Sequence, residues 1–240
     1  MNIYIDLETI PAQNPEIKDE IAANIKAPAQ YKKQESIDTW LAENRDAAAE
    51  EAWRKTSFDG GLGHIAVISA AIDDGLIRSF YVNDWQEPGA EDFILRDFFA
   101  FLHDNYDPSR RTPPVFIGHN IVEFDLRFLL QRAVVLNIVI PPFLPVAARP
   151  WDGSVYDTMT AWAGHRGTVS LDKLCRILNI PLKGSEIDEE IDGSKVWDFI
   201  QAGKISKVAR YCEGDVERVR GIHKRMTFYR QERLEALKNA

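Results

Sequence analysis

The opening residues set the strongest constraint on what this chain can become. Ile3, Ile5 and Leu7 alternate with Tyr4, Asp6 and Glu8, the period of two that a β-strand requires. One face of that strand is apolar, and the other brings two carboxylates to one spot near the strand's end. Taken alone, Asp6 and Glu8 are equally at home on the solvated face of a half-buried strand.

The next segment is not another strand. Residues 11 to 63 are rich in Ala, Glu, Lys and Gln and should be mostly helical, with a loop at "FDGGLG" leading back toward the core. "HIAVISAAI" and "LIRSFYV" flank Asp73, Asp74 and Gly75, an acidic turn ending in Gly that predicts a hairpin. In "AEDFILRDFFAFLHD" the residues Phe93, Ile94, Phe98, Phe101 and Leu102 recur at helical spacing, so this helix should lay one face on the sheet. "PPVFIGHN" reads as a short buried strand ending in a turn, and "EFDLRFLLQRAVVL" as a helix.

After a Pro-rich crossing from 141 to 150 comes "SLDKLCRILNI". Ser170 is its N-cap and Leu171, Leu174, Ile177 and Leu178 form its apolar stripe. A last helix should run from about Ser206 to Leu237. Strand, helical insertion, hairpin, helix, strand, then mainly helices is the order of an α/β protein with helices packed on a mixed sheet.

Composition narrows the function. The chain of 240 residues carries a net charge of -8, so no broad basic surface advertises nucleic acid, and any such binding must come from a local patch. Cys175 and Cys212 stand in no CxxC or Cys/His spacing, which argues against a zinc site or a disulfide framework and fits reduced cytoplasmic thiols. The N-terminus lacks the basic and apolar run of a signal peptide, and "AVVLNIVIPPFLPVAA" is broken by Asn137 and prolines, so no membrane span is expected. A cytoplasmic location is the expectation. "GGLG" has neither the Lys nor the strand-to-helix context of a phosphate-binding loop.

Two further acidic stretches answer the first. In "YCEGD", Tyr211 and Asp215 lie one helical turn apart on one face, although a helix surface would account for them as well. "GHNIVEFDLRFL" sets Asn120 and Asp125 where a buried strand meets a helix, a common place for sites in sheet proteins. Asp125 could also be a first-turn carboxylate favoured by the helix dipole. Together the three stretches supply four carboxylates and a tyrosine.

Asp6-x-Glu8, Asn120-x3-Phe124-Asp125 and Tyr211-x3-Asp215 resemble, in type, order and spacing, the three motifs of DEDD-type 3'-to-5' exonucleases. The tyrosine four before the last aspartate places the resemblance in the DEDDy branch, because Arg210 stands where the other branch has histidine. "GHN", "YDTMTAW", "SLDKLCRILNIPLKG" and "KVARYCEGDVERV" make the chain similar to the proofreading exonuclease domain of family-B DNA polymerases. The likeness covers residues 1 to 10 and about 64 to 228, and the insertion from 11 to 63 has no counterpart in the motifs.

The resemblance implies a ribonuclease H-like α/β fold, a mixed five-stranded sheet flanked by helices, formed as one exonuclease domain over 1 to 240. It implies two Mg²⁺ or Mn²⁺ ions held by Asp6, Glu8, Asp125 and Asp215, with Tyr211 orienting the attacking water. Leu7, Thr9, His119, Asn120, Phe124 and Lys183 would meet the substrate, a single-stranded DNA or frayed 3' end. An exoribonuclease, or a catalytically silent nucleic-acid-binding protein on the same fold, is the alternative. A replication or repair protein acting with the chain would be a separate polypeptide.

Other residues read both ways. Phe124 is as well explained as a core aromatic. His119 suits structural hydrogen bonding better than Mg²⁺, which favours oxygen. Asp157 matches an acidic position of these enzymes but reads first as a helix N-cap. The basic residues of the last helix, with Arg127, Arg132 and Arg149, could face a phosphate backbone, although each alone fits a solvated surface.

Overall fold

The computed structural model describes residues 1–109, 112–181 and 191–228. Its centre is a five-stranded sheet in the order β3-β2-β1-β4-β5. The strands are β1 (Asn2–Ile10), β2 (His64–Ile72), β3 (Arg78–Phe80), β4 (Val115–Gly118) and β5 (Val155–Asp157). β1, β2 and β3 pair antiparallel, whereas β4 joins β1, and β5 joins β4, in parallel. Asp73 takes a left-handed conformation (φ 49°) at the expected acidic hairpin turn between β2 and β3.

The alternation of β1 divides the interior in two. Ile3, Ile5 and Leu7 face a core shared with α3 (Ala90–Asn105) and α4 (Asp125–Val135), through Phe98, Leu102, Leu126 and Leu129. On the opposite face, Tyr4 packs with Leu174 of α6 (Leu171–Leu178) and with Val216, Val219 and Ile222 of α8 (Ile205–Met226). Farther along that face, Ile10 and Val67 meet Trp197 of α7 (Val196–Gln201) and the first half of α8. A one-residue register shift between Glu8 and Thr9 marks where β1 stops matching β2.

Two apolar stripes differ from the pattern read in the sequence. In α3, Phe93 is 59% exposed and Leu95 and Phe99 are buried instead, because the sheet takes the 91, 94, 95, 98, 99, 102 face. In α6, Ile177 is 48% exposed while Cys175 is buried beside Leu174. Ser170 does cap α6, accepting from the Lys173 amide at 3.3 Å. The described part of the last helix ends at Met226. The remainder of the stretch expected to reach Leu237, from 229 on, lies outside the described residues.

The insertion forms α1 (Pro15–Asn24) and α2 (Gln34–Arg54), followed by a 3₁₀ turn at Lys55–Phe58. Neither helix buries a broad face, since α1 has no buried residue and α2 has Ala49 and Trp53. Its attachment is local, through a few hydrogen bonds and one buried tryptophan. Trp53 donates its indole N–H to the Ala12 carbonyl at 2.9 Å and meets Trp197 edge-on at 5.5 Å. Thr56 accepts from the Ala12 amide at 2.8 Å and donates to the Trp53 carbonyl at 2.6 Å. The return to β2 passes Gly63, where a Cβ would come within 2.5 Å of the Thr56 carbonyl oxygen and 2.9 Å of that of Ile10. Among the described residues, no helix is long and apolar enough to cross a membrane.

At the far end of the sheet His223 sits between two phenols, edge-on to Tyr4 and Tyr156, with Nδ1 3.0 Å from the Tyr4 hydroxyl. Burial, with Lys224 nearby, lowers its pKa to about 4, and burial first of all pushes Tyr4 up to about 12. The unfolded chain therefore takes up a proton that the folded protein refuses between about pH 6.5 and pH 4. The contribution to stability is intact above that window and is lost as the pH falls through it. His223→Gln keeps an acceptor for Tyr4 and should flatten melting temperature against pH across this window, as thermal melts at stepped pH would measure.

Candidate active site

Asp6 and Glu8 project from β1 toward α8. With Cys212 of α8 they form a group whose ligand atoms all lie within 4.8 Å of one another. Cys212 is fully buried, and its Sγ lies 3.3 Å from both Asp6 Oδ2 and the Asp6 carbonyl oxygen. Burial first, then the charges of Asp6 and Glu8, push the thiol well up. Cys212 also bonds Ser69, the cross-strand partner of Asp6, and Ser69, Ser79 and Glu213 continue a polar chain with links of 2.8 and 2.7 Å. This chain fixes α8 over β1 at the level of the carboxylates.

Asp125 reaches the same place from the other helical layer. The pairing of β4 with β1 covers Asn2 to Tyr4, so the later part of β1 has no ladder on that edge. Asp125, first residue of α4, turns its carboxylate there and accepts from the Leu7 amide as well as its own. The carboxyl is buried, and burial, then the charge of Asp6, hold its pKa well above the ordinary range. Asp157 adds to that rise, but its own carboxylate is taken by backbone. It accepts from the Asn120 and Met159 amides at 3.0 Å, from Thr160 at 3.3 Å and from Val122 at 3.5 Å. The N-cap reading of Asp157 therefore holds, and the same carboxylate also ties down the turn after β4, where Asn120 is left-handed at φ 63°.

Tyr211 and Asp215 are both buried on α8, and Asp215 shares a helix face with Cys212, three residues earlier. Asp215 Oδ1 accepts from Arg218 Nε at 3.0 Å and Nη2 at 2.7 Å, and Arg218 is itself 3% exposed. Tyr211, 2% exposed, packs in the cluster with Ile10, Trp53 and Trp197. Cys212 could have been found from its position one turn before Asp215.

The residues expected at the substrate divide. Leu7 contributes its amide to Asp125, and Thr9 donates its hydroxyl to the Ser57 carbonyl at 2.7 Å. Phe124 is half-buried against Phe128, with ring centroids 5.6 Å apart. His119 is braced within the fold, its Nε2–H donating to the Val169 carbonyl at 2.8 Å and its Nδ1 2.9 Å from Thr158 Oγ1. Lys183 lies outside the described residues.

Several cations that could have faced a phosphate backbone are engaged within the fold. Arg132 is 3% exposed and donates to both carboxylate oxygens of Glu91, at 2.8 and 2.6 Å. Arg220 pairs with Glu217 and the Gly75 carbonyl, and Lys224 pairs with Asp74.

The donor set suits a divalent cation. Asp6 and Glu8 offer hard carboxylate oxygens at one point, and Asp6 raises Asp125 by repulsion that a cation would relieve.

A family profile described as a predicted 3'-5' exonuclease related to the exonuclease domain of PolB matches residues 62–236. That match spans most of the chain, and β1 lies before it. A comparison with curated proteins finds no significant match. Among solved structures, the family B DNA polymerase from the hyperthermophilic archaeon Pyrobaculum calidifontis is similar, with a TM-score of 0.56 and 15% sequence identity. The alignment covers 94% of this chain and 24% of the polymerase, so the chain spans about a quarter of that protein's length. At that identity the likeness speaks for the fold. With its five-stranded mixed sheet between helical layers, the chain has the ribonuclease H-like fold and belongs to the family of predicted 3'-5' exonucleases related to the exonuclease domain of PolB.

Proposed function

We propose that the chain is a metal-dependent 3'-to-5' exonuclease that shortens single-stranded DNA or frayed 3' ends to nucleoside 5'-monophosphates. The observation that supports this reading is the convergence of Asp6 and Glu8 at the end of β1, with the buried Asp125 carboxyl close enough for the charge of Asp6 to push it up. Such crowding costs stability unless cations or protons offset it.

Asp6, at the centre of the group, would be shared between two Mg²⁺ or Mn²⁺ ions, with Glu8 and Asp215 completing one site and Asp125 serving the other. When bound, the ions would neutralise the phosphodiester, lower the pKa of the attacking water and stabilise the departing oxygen. Tyr211 is suited to orienting that water rather than deprotonating it, because a phenol with an ordinary pKa of about 10 is a poor base at neutral pH. Leu7 and Thr9, flanking Glu8, would meet the terminal sugar. Asn120 would meet the strand beside the scissile phosphate, Phe124 the bases, and Lys183 a phosphate.

A time course on 5'-labelled DNA, with matched RNA in parallel, in Mg²⁺, Mn²⁺ or EDTA tests the reading. A ladder receding from the 3' end, present with metal and absent with EDTA, is expected on DNA. Faster shortening of RNA would reassign the substrate, and a ladder that persists in EDTA would remove the metal.

A further inference from the structure

The insertion after β1 delivers one aromatic ring beside Phe124, the residue before Asp125. Phe58 closes the 3₁₀ turn and is 72% exposed. A single exposed phenylalanine is ordinary on a protein surface and says nothing alone. Two further observations set this one apart.

The first is that its backbone is held. Ser57, the preceding residue, accepts the Thr9 hydroxyl at 2.7 Å, and Thr9 comes directly after Glu8 in β1. Thr56 is buried and bonded on both sides, to the Ala12 amide and the Trp53 carbonyl. The ring is therefore presented to solvent from a braced turn rather than from a loose loop, and little ordering cost remains when something binds it.

The second is its neighbour. The Phe58 and Phe124 centroids are 6.5 Å apart with the planes inclined at 60°. Phe124 precedes Asp125, so Phe58 stands one residue from a contact to the strand of Glu8 and one ring from the residue before Asp125. Two rings at this inclination form a corner. A planar ligand can lie flat on one and turn its edge to the other, the geometry aromatic systems favour.

We propose that Phe58 is a substrate-positioning residue that stacks on the base of the 3'-terminal nucleotide, with Phe124 meeting the edge of that base. The inference rests on the exonuclease reading and deepens it. It assigns the insertion a role: holding the end of a single strand so that the terminal phosphodiester reaches the carboxylates. Stacking accepts every base, so it supports binding without sequence preference.

Phe58→Ala and Phe58→Trp are compared with wild type on a 5'-labelled single strand ending in a normal nucleotide, and on the same strand ending in an abasic sugar. Phe58→Ala should raise KM about tenfold on the normal end and leave kcat within about twofold, in line with the usual contribution of one stacked base. Phe58→Trp should restore KM. On the abasic end the three proteins should be alike. An equal KM rise on both ends, a fall in kcat with KM unchanged, or no rescue by Trp would overturn the stacking role.

Should the wild type cleave neither strand, the exonuclease reading fails separately. Stacking is then read in EDTA from the fluorescence of a 3'-terminal 2-aminopurine. Quenching by wild type that Phe58→Ala abolishes supports the role, and equal signals overturn it.

Discussion

Asp6→Ala should lower exonuclease turnover by about 10³-fold or more while the protein stays folded. Ions bound in the manner proposed supply several kcal/mol of transition-state stabilisation, and each 1.36 kcal/mol corresponds to a factor of about ten in rate. Asp6 sits at the centre of the group, within reach of Glu8 and Cys212 and near enough to Asp125 to raise its pKa. Its loss would remove the proposed shared ligand and also the chief charge opposing ionisation of Asp125.

Two measurements separate this from simple unfolding. In EDTA the variant should melt at or above the wild-type temperature, because a repulsive pair has been removed. Adding Mg²⁺ or Mn²⁺ should raise the wild-type melting temperature and leave the variant unmoved, since an ion stabilises only the state that binds it. Tyr211→Phe should retain the metal-induced rise and show an intermediate loss of turnover. If it loses as much turnover as Asp6→Ala, the orienting role given to the phenol is wrong.

The second large effect concerns stability alone. Arg132→Ala should cost about 3–5 kcal/mol, the usual consequence of removing one partner of a buried ion pair. Glu91 would keep a buried carboxylate near the Ile65 amide, from which it accepts at 2.8 Å, with no guanidinium opposite. Arg132 also donates to the Gly60 carbonyl at 3.2 Å, so the truncation releases the segment that carries the chain from the insertion into β2. For a protein of this size each kcal/mol shifts the melting temperature by about 2–4 °C, so a fall of about 10 °C is expected by calorimetry. Nuclease activity measured well below the transition should keep its kcat, because Arg132 is closed onto Glu91 and the Gly60 carbonyl, and any rise in KM should not exceed that of Phe58→Ala, two residues from Gly60. Selective loss of activity with an unchanged melt would return Arg132 to the substrate groove.

The spacings within the candidate site were legible because they are local. Asp6 and Glu8 share a strand face at i, i+2, and Tyr211 and Asp215 share a helix face at i, i+4, whatever surrounds them. The caps read in the sequence are local too, and Asp157 and Ser170 each bond an amide within three residues. Burial of individual charges was not legible. Arg218, read with the cations of a basic helix, is closed into the interior on Asp215, and Arg132 on Glu91. A stripe of five apolar positions in α3 could be rotated either way until the sheet selected Leu95 and Phe99 over Phe93.

By itself, the order of residues determined that β1 would present two acids opposite an apolar face, that a helical insertion would come next, and that helices would carry the other acids. These outcomes depend on dihedral preference and on periods of two and 3.6, which act within a few residues. Only the tertiary structure decided that Cys212 would lie against Asp6, 206 residues away, that Asp125 would take the Leu7 amide, and that the insertion would set Phe58 beside Phe124. Those contacts arise from how two helical layers and a 3₁₀ turn close on one sheet. Their energies come from desolvation and charge, which no local pattern encodes.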